Sequence, residues 1–228
     1  RSSAASDVYK RQAMIFNGDV LSGADLNAVL ATHAEHEADV TLHLVRVPDP
    51  SQFGSVPTDT EGRVQAFLEK TEAPPTDQIN AGCYVFQRDV IRQIPAGRPV
   101  SVERETFPGL LKSGARVWGH VDMSYWRDMG RPSDFVQGSS DLVRGIAPSP
   151  LLEGRAGESL VDESAGIASG AILVGGTSVG RGTTIGAGSR LDDCVVFDGV
   201  TIEPGALIRD SIIASGATIG ANARIQDL

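Results

Sequence analysis

The sequence is poor in cysteine and in aromatic residues, and it has no long apolar run. Cys83 and Cys194 are the only cysteines among 228 residues, and both lie in apolar surroundings. We therefore expect two free, buried thiols rather than a disulfide or a metal ligand. A membrane-spanning helix needs about 20 consecutive apolar residues, and no segment approaches that length. The composition argues against both a disulfide scaffold and a transmembrane protein.

Positive charge is also scarce. Twenty Lys and Arg stand against 29 Asp and Glu, which gives a net charge of -9. Such a charge repels nucleic-acid phosphates and anionic membranes, so we expect neither a nucleic acid polymer nor a membrane as partner. No charged and then apolar leader is visible, and a cytoplasmic enzyme is the expectation. The apolar fraction of 41% suits a protein that buries a core.

The chain divides by pattern into two domains. Residues 1–12 show no periodicity and are predicted to be a non-native tail. Residues 13–147 alternate between strand and helix patterns, beginning with a buried strand at 13–16, a helix from about residue 25 and a strand at 39–47. Strand, helix and strand in this order form a βαβ unit, which predicts a mainly parallel sheet. Pro148 and Pro150 mark a linker over residues 148–159.

Residues 160–228 follow a different rule, because apolar residues recur every six positions. These residues are Val161, Ile167, Leu173, Val179, Ile185, Leu191, Ile202, Ile208, Ile213, Ile219 and Ile225. The interval between them is six residues, except for one of eleven after Leu191 and one of five after Ile208. This period fits neither a helix nor a simple hairpin and is typical of a β-helix with three hexapeptides in each coil. Gly180, Gly186 and Gly220 are predicted to form sharp turns. A β-sandwich is the alternative.

Two acidic turns are candidates for a metal site. Asp19 follows the strand at 13–16 in the turn Asn17-Gly18-Asp19, at the strand end where α/β sheets collect ligands. Asp128 lies in the segment 125–132, between two aromatic residues and Gly130. Together the two carboxylates could hold one Mg²⁺ for phosphoryl chemistry. The alternative for each is a structural turn or cap aspartate.

Other polar residues at strand ends are candidates for binding a sugar phosphate. Glu69 and Lys70 pair a hydroxyl acceptor with a flexible cation, although a solvated ion pair is an alternative. Asn80 offers both donor and acceptor, although a turn residue at the start of a strand is an alternative. Gly82 permits close approach of a ligand. Glu103 could accept from sugar hydroxyls or could serve as a helix-capping charge.

The ordered set of these motifs resembles the nucleotide-sugar pyrophosphorylases, and within them the mannose-1-phosphate guanylyltransferases. The resemblance covers nearly all of the chain from Ala13 onward. It is carried by Asn17-Gly18-Asp19, Phe53-Gly54-Ser55-Val56, Phe67-Leu68-Glu69-Lys70, Asn80-Ala81-Gly82-Cys83-Tyr84-Val85-Phe86, Ser101-Val102-Glu103-Arg104-Glu105 and Tyr125-Trp126-Arg127-Asp128-Met129-Gly130. It implies a Rossmann-like nucleotidyltransferase domain followed by a left-handed parallel β-helix.

The resemblance also implies an activity and roles for individual residues. GTP and mannose-1-phosphate would give GDP-mannose and pyrophosphate, with Mg²⁺ as cofactor. The catalytic residues would be Asp19 and Asp128, as metal ligands, and Lys70, on the sugar phosphate. The sugar pocket would contain Gly54, Glu69, Asn80, Gly82 and Glu103. A homo-oligomer is expected, because a β-helix has flat faces and an open end that needs covering.

One part of the family pattern is missing from this sequence. The Gly-rich loop that cradles the triphosphate does not occur before Ala13, so we expect an incomplete nucleotidyltransferase domain and an inactive fragment. The alternatives are a glucose-1-phosphate nucleotidyltransferase using another base and a non-catalytic regulatory homologue. A hexapeptide acyltransferase is disfavoured because no histidine follows His120. The histidines receive no role, and His36 is placed on a solvated helix face.

Overall fold

The computed structural model of the chain describes residues 11–69 and 71–227. Residue contacts divide these into two compact units: unit 1 contains residues 11–20 and 24–126, and unit 2 contains residues 21–23 and 127–227. Most of the predicted tail at 1–12 lies outside the described residues. In the described part of the chain, no helix combines the length and the apolar character needed to cross a membrane.

Unit 1 is built on a six-stranded sheet. The strands before residue 129 are β1 (Gln12–Phe16), β2 (Val20–Ser22), β3 (Val40–Arg46), β4 (Gly54–Ser55), β5 (Leu68–Glu69), β6 (Gln78–Gln87), β7 (Val117–Asp122) and β8 (Trp126–Asp128). The order in the sheet is β5-β4-β6-β3-β7, and β1 also pairs with β6. The separate two-stranded sheet of β2 and β8 explains why residues 21–23 group with unit 2.

The prediction of a mainly parallel sheet is wrong for the described strands. Within this six-stranded sheet, only β3 and β7 pair in parallel, whereas β6 runs antiparallel to β1, β3 and β4. β1 and β3 are parallel to each other, as a βαβ unit requires, but β6 lies between them. β1 is also less buried than predicted, since Ile15 and Phe16 are 39% and 54% exposed.

The helices of unit 1 place their apolar side chains on this sheet. They are α1 (Leu26–Glu35), α2 (Arg88–Ile91), a π-helix (Val102–Thr106) and α3 (Phe107–Lys112). Asp25 caps α1 by accepting from the backbone N–H groups of Asn27 and Ala28. Val40, Leu42 and Leu44 alternate on one face of β3 and are fully buried in the main apolar core. This alternation is the one predicted for residues 39–47.

Unit 2 contains a parallel β-solenoid. Its strands are β9 (Ser159–Val161), β10 (Gly166–Ile167), β11 (Ile172–Val174), β12 (Thr177–Val179), β13 (Thr184–Ile185), β14 (Arg190–Val196), β15 (Thr201–Ile202), β16 (Leu207–Ile213), β17 (Thr218–Ile219) and β18 (Arg224–Gln226). Successive coils pair in parallel, as in the row β10-β13-β15-β17. Most of the predicted apolar positions fill the interior, where Ile185, Leu191, Ile202 and Ile208 are at most 2% exposed, but Ile167 is 38% exposed.

The irregular intervals of the repeat have a structural cause. Ile172 pairs with Arg190, 18 residues later, but Arg190 pairs with Leu207, only 17 residues later. The shortened coils form a tight corner within β14 and again within β16, where Asp193 and Asp210 adopt positive φ angles of 50° and 47°. Val196 therefore occupies the interior position inside the eleven-residue interval.

The glycine prediction for the solenoid needs correction. Gly180 and Gly186 have no positive φ angle, so they are not the turning residues. A Cβ at Gly180 would collide with Asp198, and one at Gly186 would collide with Pro204. Both glycines are thus required because the next coil passes close to them, whereas a Cβ at Gly220 would meet nothing within 4 Å.

One helix completes unit 2 outside the solenoid. α4 (Pro132–Val143) packs on β12, β14 and β16, and a 3₁₀ helix follows at Pro150–Leu152. The rings of Phe135 and Phe197 lie 6.5 Å apart in a stacked arrangement. α4 therefore groups with the solenoid rather than with unit 1, and the domain boundary over 148–159 stays a prediction. Cys83 and Cys194 are free and buried, as predicted.

Candidate functional site

The centre of the candidate site is an irregularity in β6. Leu42 of β3 pairs with Tyr84 of β6, and Leu44, two residues later, pairs with Asn80, four residues earlier in β6. The β6 strand therefore has two more residues than β3 in this interval. The extra residues include Gly82, whose φ angle is 77°. Bulges of this kind re-aim side chains near functional sites. Here the bulge carries two of the predicted sugar-pocket residues, Asn80 and Gly82.

Glu103 reaches Asn80 from a different element. It lies on the π-helix, and its Oε1 accepts from Asn80 Nδ2 at 3.0 Å. The next residue after that helix, Phe107, is fully buried and contacts the ring of Tyr84 with 5.3 Å between centroids. This anchor holds the half-buried Glu103 beside the bulge. Short π-helical segments are frequent at functional sites.

Gly54 and Glu69 lie together on the side of β6 that is opposite β3. The two residues pair across β4 and β5, and a Cβ at Gly54 would lie 3.1 Å from Glu69 Oε2. Because Ser55 pairs with Ile79 in an antiparallel register, Gly54 is next to Asn80 in the neighbouring strand. The structure thus brings Gly54, Glu69, Asn80 and the rest of the predicted sugar pocket into one region of unit 1.

The turn after β1 also reaches this region. The backbone N–H of Asn17 donates to the carbonyl of Gly82 at 2.7 Å. Its side chain lies so close to Gly82 that a Cβ there would be 2.9 Å from Asn17 Nδ2. Asp19 follows two residues later and is exposed. Its carboxylate is therefore open to a ligand near the bulge.

Asp128 is half-buried at the end of β8 in unit 2. A Cβ at Gly130 would lie 3.4 Å from both carboxylate oxygens, so the glycine leaves space beside them. Two carboxylates suit Mg²⁺, a hard cation that prefers oxygen ligands. Among the described residues, no three or more His, Cys, Asp and Glu side chains are grouped as a metal site. The sharing of one ion by Asp19 and Asp128 stays a prediction, and Lys70 lies outside the described residues.

Sequence reasoning gave no separate role to Tyr84 or Trp126 in this pocket. Tyr84 is 1% exposed, and its hydroxyl accepts from Asn80 Nδ2 at 2.7 Å. Trp126 Nε1 donates to the carbonyl of Ala81 at 2.9 Å, and its ring packs edge-on against Phe53. The available signal was chemical: a buried Tyr or Trp needs a partner for its polar atom.

The histidines have structural partners rather than ligand geometry. His33 Nδ1 bonds Thr41 Oγ1 at 2.9 Å, and burial lowers the pKa of His33. His36 is half-buried at the C-cap of α1, where it stacks on Trp118 with 3.7 Å between centroids, so it is less solvated than predicted. His43 Nε2 bonds Asp122 at 3.0 Å. Burial opposes ionisation of Asp122, but hydrogen bonds from His43 and Ser124 outweigh it and lower the pKa of that carboxyl.

Comparison with protein families gives two matches. A family described as nucleotidyl transferase matches residues 2–145, and a family described as GMPPB C-terminal domain matches residues 155–228. The two matches together cover most of the chain. The first match contains the bulge, the π-helix and both predicted metal ligands, and the second contains the solenoid.

The curated relatives agree with the nucleotidyl transferase family match. The chain is 64% identical to the mannose-1-phosphate guanylyltransferase of Mycobacterium tuberculosis over 200 residues, covering 87% of this chain and 56% of that protein. It is 34% identical to mannose-1-phosphate guanylyltransferase 1 of Arabidopsis thaliana, covering 82% and 53%. It is 32% identical to the mannose-1-phosphate guanylyltransferase catalytic subunit beta of Danio rerio, covering 66% and 43%. The chain thus spans about half the length of the curated relatives it matches.

Proposed function

This chain belongs to the nucleotidyl transferase family, and on that basis we propose that the complete protein carrying it makes GDP-mannose and pyrophosphate from GTP and mannose-1-phosphate. The proposal extends to this chain what the names of its relatives say of them. The observation that carries it is the assembly of Gly54, Glu69, Asn80, Gly82 and Glu103 around the β6 bulge. That region offers carboxylate oxygens and the Asn80 carbonyl oxygen as acceptors for sugar hydroxyls.

The proposed chemistry needs positioning more than covalent catalysis. An oxygen of the sugar-1-phosphate attacks the α-phosphorus of the triphosphate, one P–O bond forms, and the bond to the departing pyrophosphate breaks. Carboxylates such as Glu103 and Glu69 would accept from sugar hydroxyls and fix the attacking phosphate in line. Lys70 would offset the charge of that phosphate. Holding the reactants in this geometry supplies a large part of the rate.

We propose Asp19 and Asp128 as the residues that would hold Mg²⁺. Their support is the exposure of Asp19 near the bulge and the space that Gly130 leaves beside Asp128. When bound, the ion would neutralise phosphate charge that the acidic protein itself would repel. The chain's own contribution is to present Asp19 from the turn after β1 and Asp128 from the last position of β8.

Further parts of the proposal concern setting and assembly. We expect the enzyme to act in the cytoplasm, where nucleoside triphosphates are abundant, and to form a homo-oligomer through its solenoid. We also expect the 228 residues alone to be inactive, because their sequence holds no Gly-rich triphosphate loop. The left-handed sense of the solenoid belongs to the same set of expectations.

The test is a substrate panel on the complete protein. GTP, ATP, UTP and dTTP are each supplied with mannose-1-phosphate or glucose-1-phosphate, and pyrophosphate release is measured. GTP with mannose-1-phosphate should give the highest kcat/KM. A preference for another base or for the glucose phosphate would favour a glucose-1-phosphate nucleotidyltransferase, and no turnover would favour a regulatory homologue.

A substitution tests the metal role separately. Asp128→Asn should lower kcat/KM by roughly 100-fold and weaken the response to added Mg²⁺, since a neutral amide is a poor Mg²⁺ ligand. Asp134→Asn is the matched control, because Asp134 is a half-buried aspartate of the same unit that lies 3.9 Å from Arg127. Equal activity of the two variants would refute the metal role of Asp128.

A further inference from the structure

Asn80 has little hydrogen-bonding capacity left for a ligand. One hydrogen of Nδ2 goes to the Tyr84 hydroxyl at 2.7 Å, and the other goes to Glu103 Oε1 at 3.0 Å. Its Oδ1 accepts from the backbone N–H of Gly82 at 3.2 Å. An amide has two donors and two acceptor sites. Only one acceptor site therefore remains, and Asn80 acts mainly as a connector between its protein partners.

The Tyr84 hydroxyl is at the centre of this connection. The ring is held in the apolar core by Phe86 and Phe107, with centroid distances of 6.2 and 5.3 Å. The hydroxyl therefore has a fixed position, unlike the end of a flexible side chain. Burial raises the pKa of Tyr84 to about 12, so the hydroxyl stays protonated at physiological pH.

Two segments thus meet at the Asn80 amide, which the buried Tyr84 hydroxyl holds. The β6 bulge supplies Asn80, and the π-helix supplies Glu103, which accepts the second hydrogen of that amide. We propose that Tyr84 is a positioning residue for the sugar-phosphate pocket: its hydroxyl fixes the Asn80 amide, which in turn aims the Glu103 carboxylate at the sugar. This inference rests on the function proposed above.

Removing the hydroxyl leaves a buried amide donor without its acceptor, because Asn80 is only 8% exposed. Such a donor turns to find another partner, and Glu103 is then held by a mobile group. The ring contacts of Tyr84 are the same for phenylalanine. The expected damage is therefore to sugar binding rather than to the core.

The experiment compares Tyr84→Phe with Thr41→Val in the complete protein. Thr41 is a matched control, because it is a fully buried residue of the same sheet whose hydroxyl bonds His33. Tyr84→Phe should raise KM for mannose-1-phosphate about tenfold, as expected for one buried hydrogen bond, with KM for GTP changed less than about twofold. Thr41→Val should change neither KM. Thermal denaturation should show similar stability losses for both.

The outcomes separate this inference from the proposed function. Wild-type protein that shows no turnover with any sugar phosphate overturns the proposed function and this inference with it. Wild-type turnover combined with an unchanged sugar-phosphate KM in Tyr84→Phe overturns the positioning role alone. So does a Tyr84→Phe protein that unfolds while Thr41→Val stays folded, because that result assigns Tyr84 to stability instead.

Discussion

Replacing Gly82 by alanine tests whether the β6 bulge is fixed by its backbone and by Asn17. Gly82 has a φ angle of 77°, a conformation that costs an L-residue about 1–2 kcal/mol. A new Cβ would also lie 2.9 Å from Asn17 Nδ2 and 3.0 Å from Asn17 Cβ. Because the Asn17 backbone is tied to Gly82 at 2.7 Å, relief requires a rotation of the Asn17 side chain, which costs about 0.5–1.5 kcal/mol, and a small backbone shift, since rotation does not move Asn17 Cβ.

Gly114 provides a matched control for the backbone part of this cost. Its φ angle is 78°, nearly that of Gly82, and an added Cβ there would meet nothing within 4 Å. Gly114→Ala should therefore lower the free energy of unfolding by about 1–2 kcal/mol. Gly82→Ala should lower it by about 1.5–3.5 kcal/mol, when the cost of the side-chain rotation is added.

Urea denaturation of both variants measures the difference. In the complete protein, Gly82→Ala should also raise KM for mannose-1-phosphate, whereas Gly114→Ala should leave it unchanged. Equal stability losses would show that Asn17 moves away freely. That result would remove Asn17 from the group of residues that hold the bulge in place.

Two further predictions concern stability. Burial lowers the pKa of His33, although Asp39 opposes the shift. As pH falls through the ordinary histidine pKa of about 6.5, the unfolded state binds a proton that the folded state does not, so the free energy of unfolding falls. His33→Gln should therefore flatten the dependence of the unfolding free energy on pH between pH 7.5 and 5.5, and an unchanged slope would contradict this assignment. In the solenoid, Leu191→Ala should lower the free energy of unfolding by about 2–5 kcal/mol, because Leu191 is fully buried. Leu207→Ala should lower it much less, because that side chain is 37% exposed. Similar losses for the two variants in urea denaturation would argue against the interior position of Leu191.

The solenoid was predictable from sequence because its pattern is local and repeated. A six-residue period is visible in Val161, Ile167 and Leu173 without knowledge of any distant contact. The shortened coils were visible only as irregular intervals. Their cause, a left-handed conformation at Asp193 and Asp210, depends on a backbone angle that aspartate adopts only occasionally. The sequence therefore predicted the coil and left its corners unexplained.

The sheet of unit 1 was less predictable because its pairing is not local. The strand and helix patterns of residues 13–47 were correct, but they could not show that β6, from residues 78–87, inserts between β1 and β3. Consecutive strands are neighbours only in a majority of folds. The candidate pocket follows from this insertion, since β6 is the strand that contacts β1, β3 and β4.

The contact between Asn80 and Tyr84 shows why the bulge is necessary for the pocket. In a regular strand, residues four apart lie about 13 Å from each other along the strand, too far for a short asparagine side chain to approach a tyrosine hydroxyl to 2.7 Å. Two extra residues shorten that separation and keep both side chains on the same face, because the side-chain period is two. A regular β6 would pair better with β3 but would separate Asn80 from Tyr84 and hence from the bond that orders Glu103. The irregular pairing opposite His43 is therefore a structural requirement of the pocket.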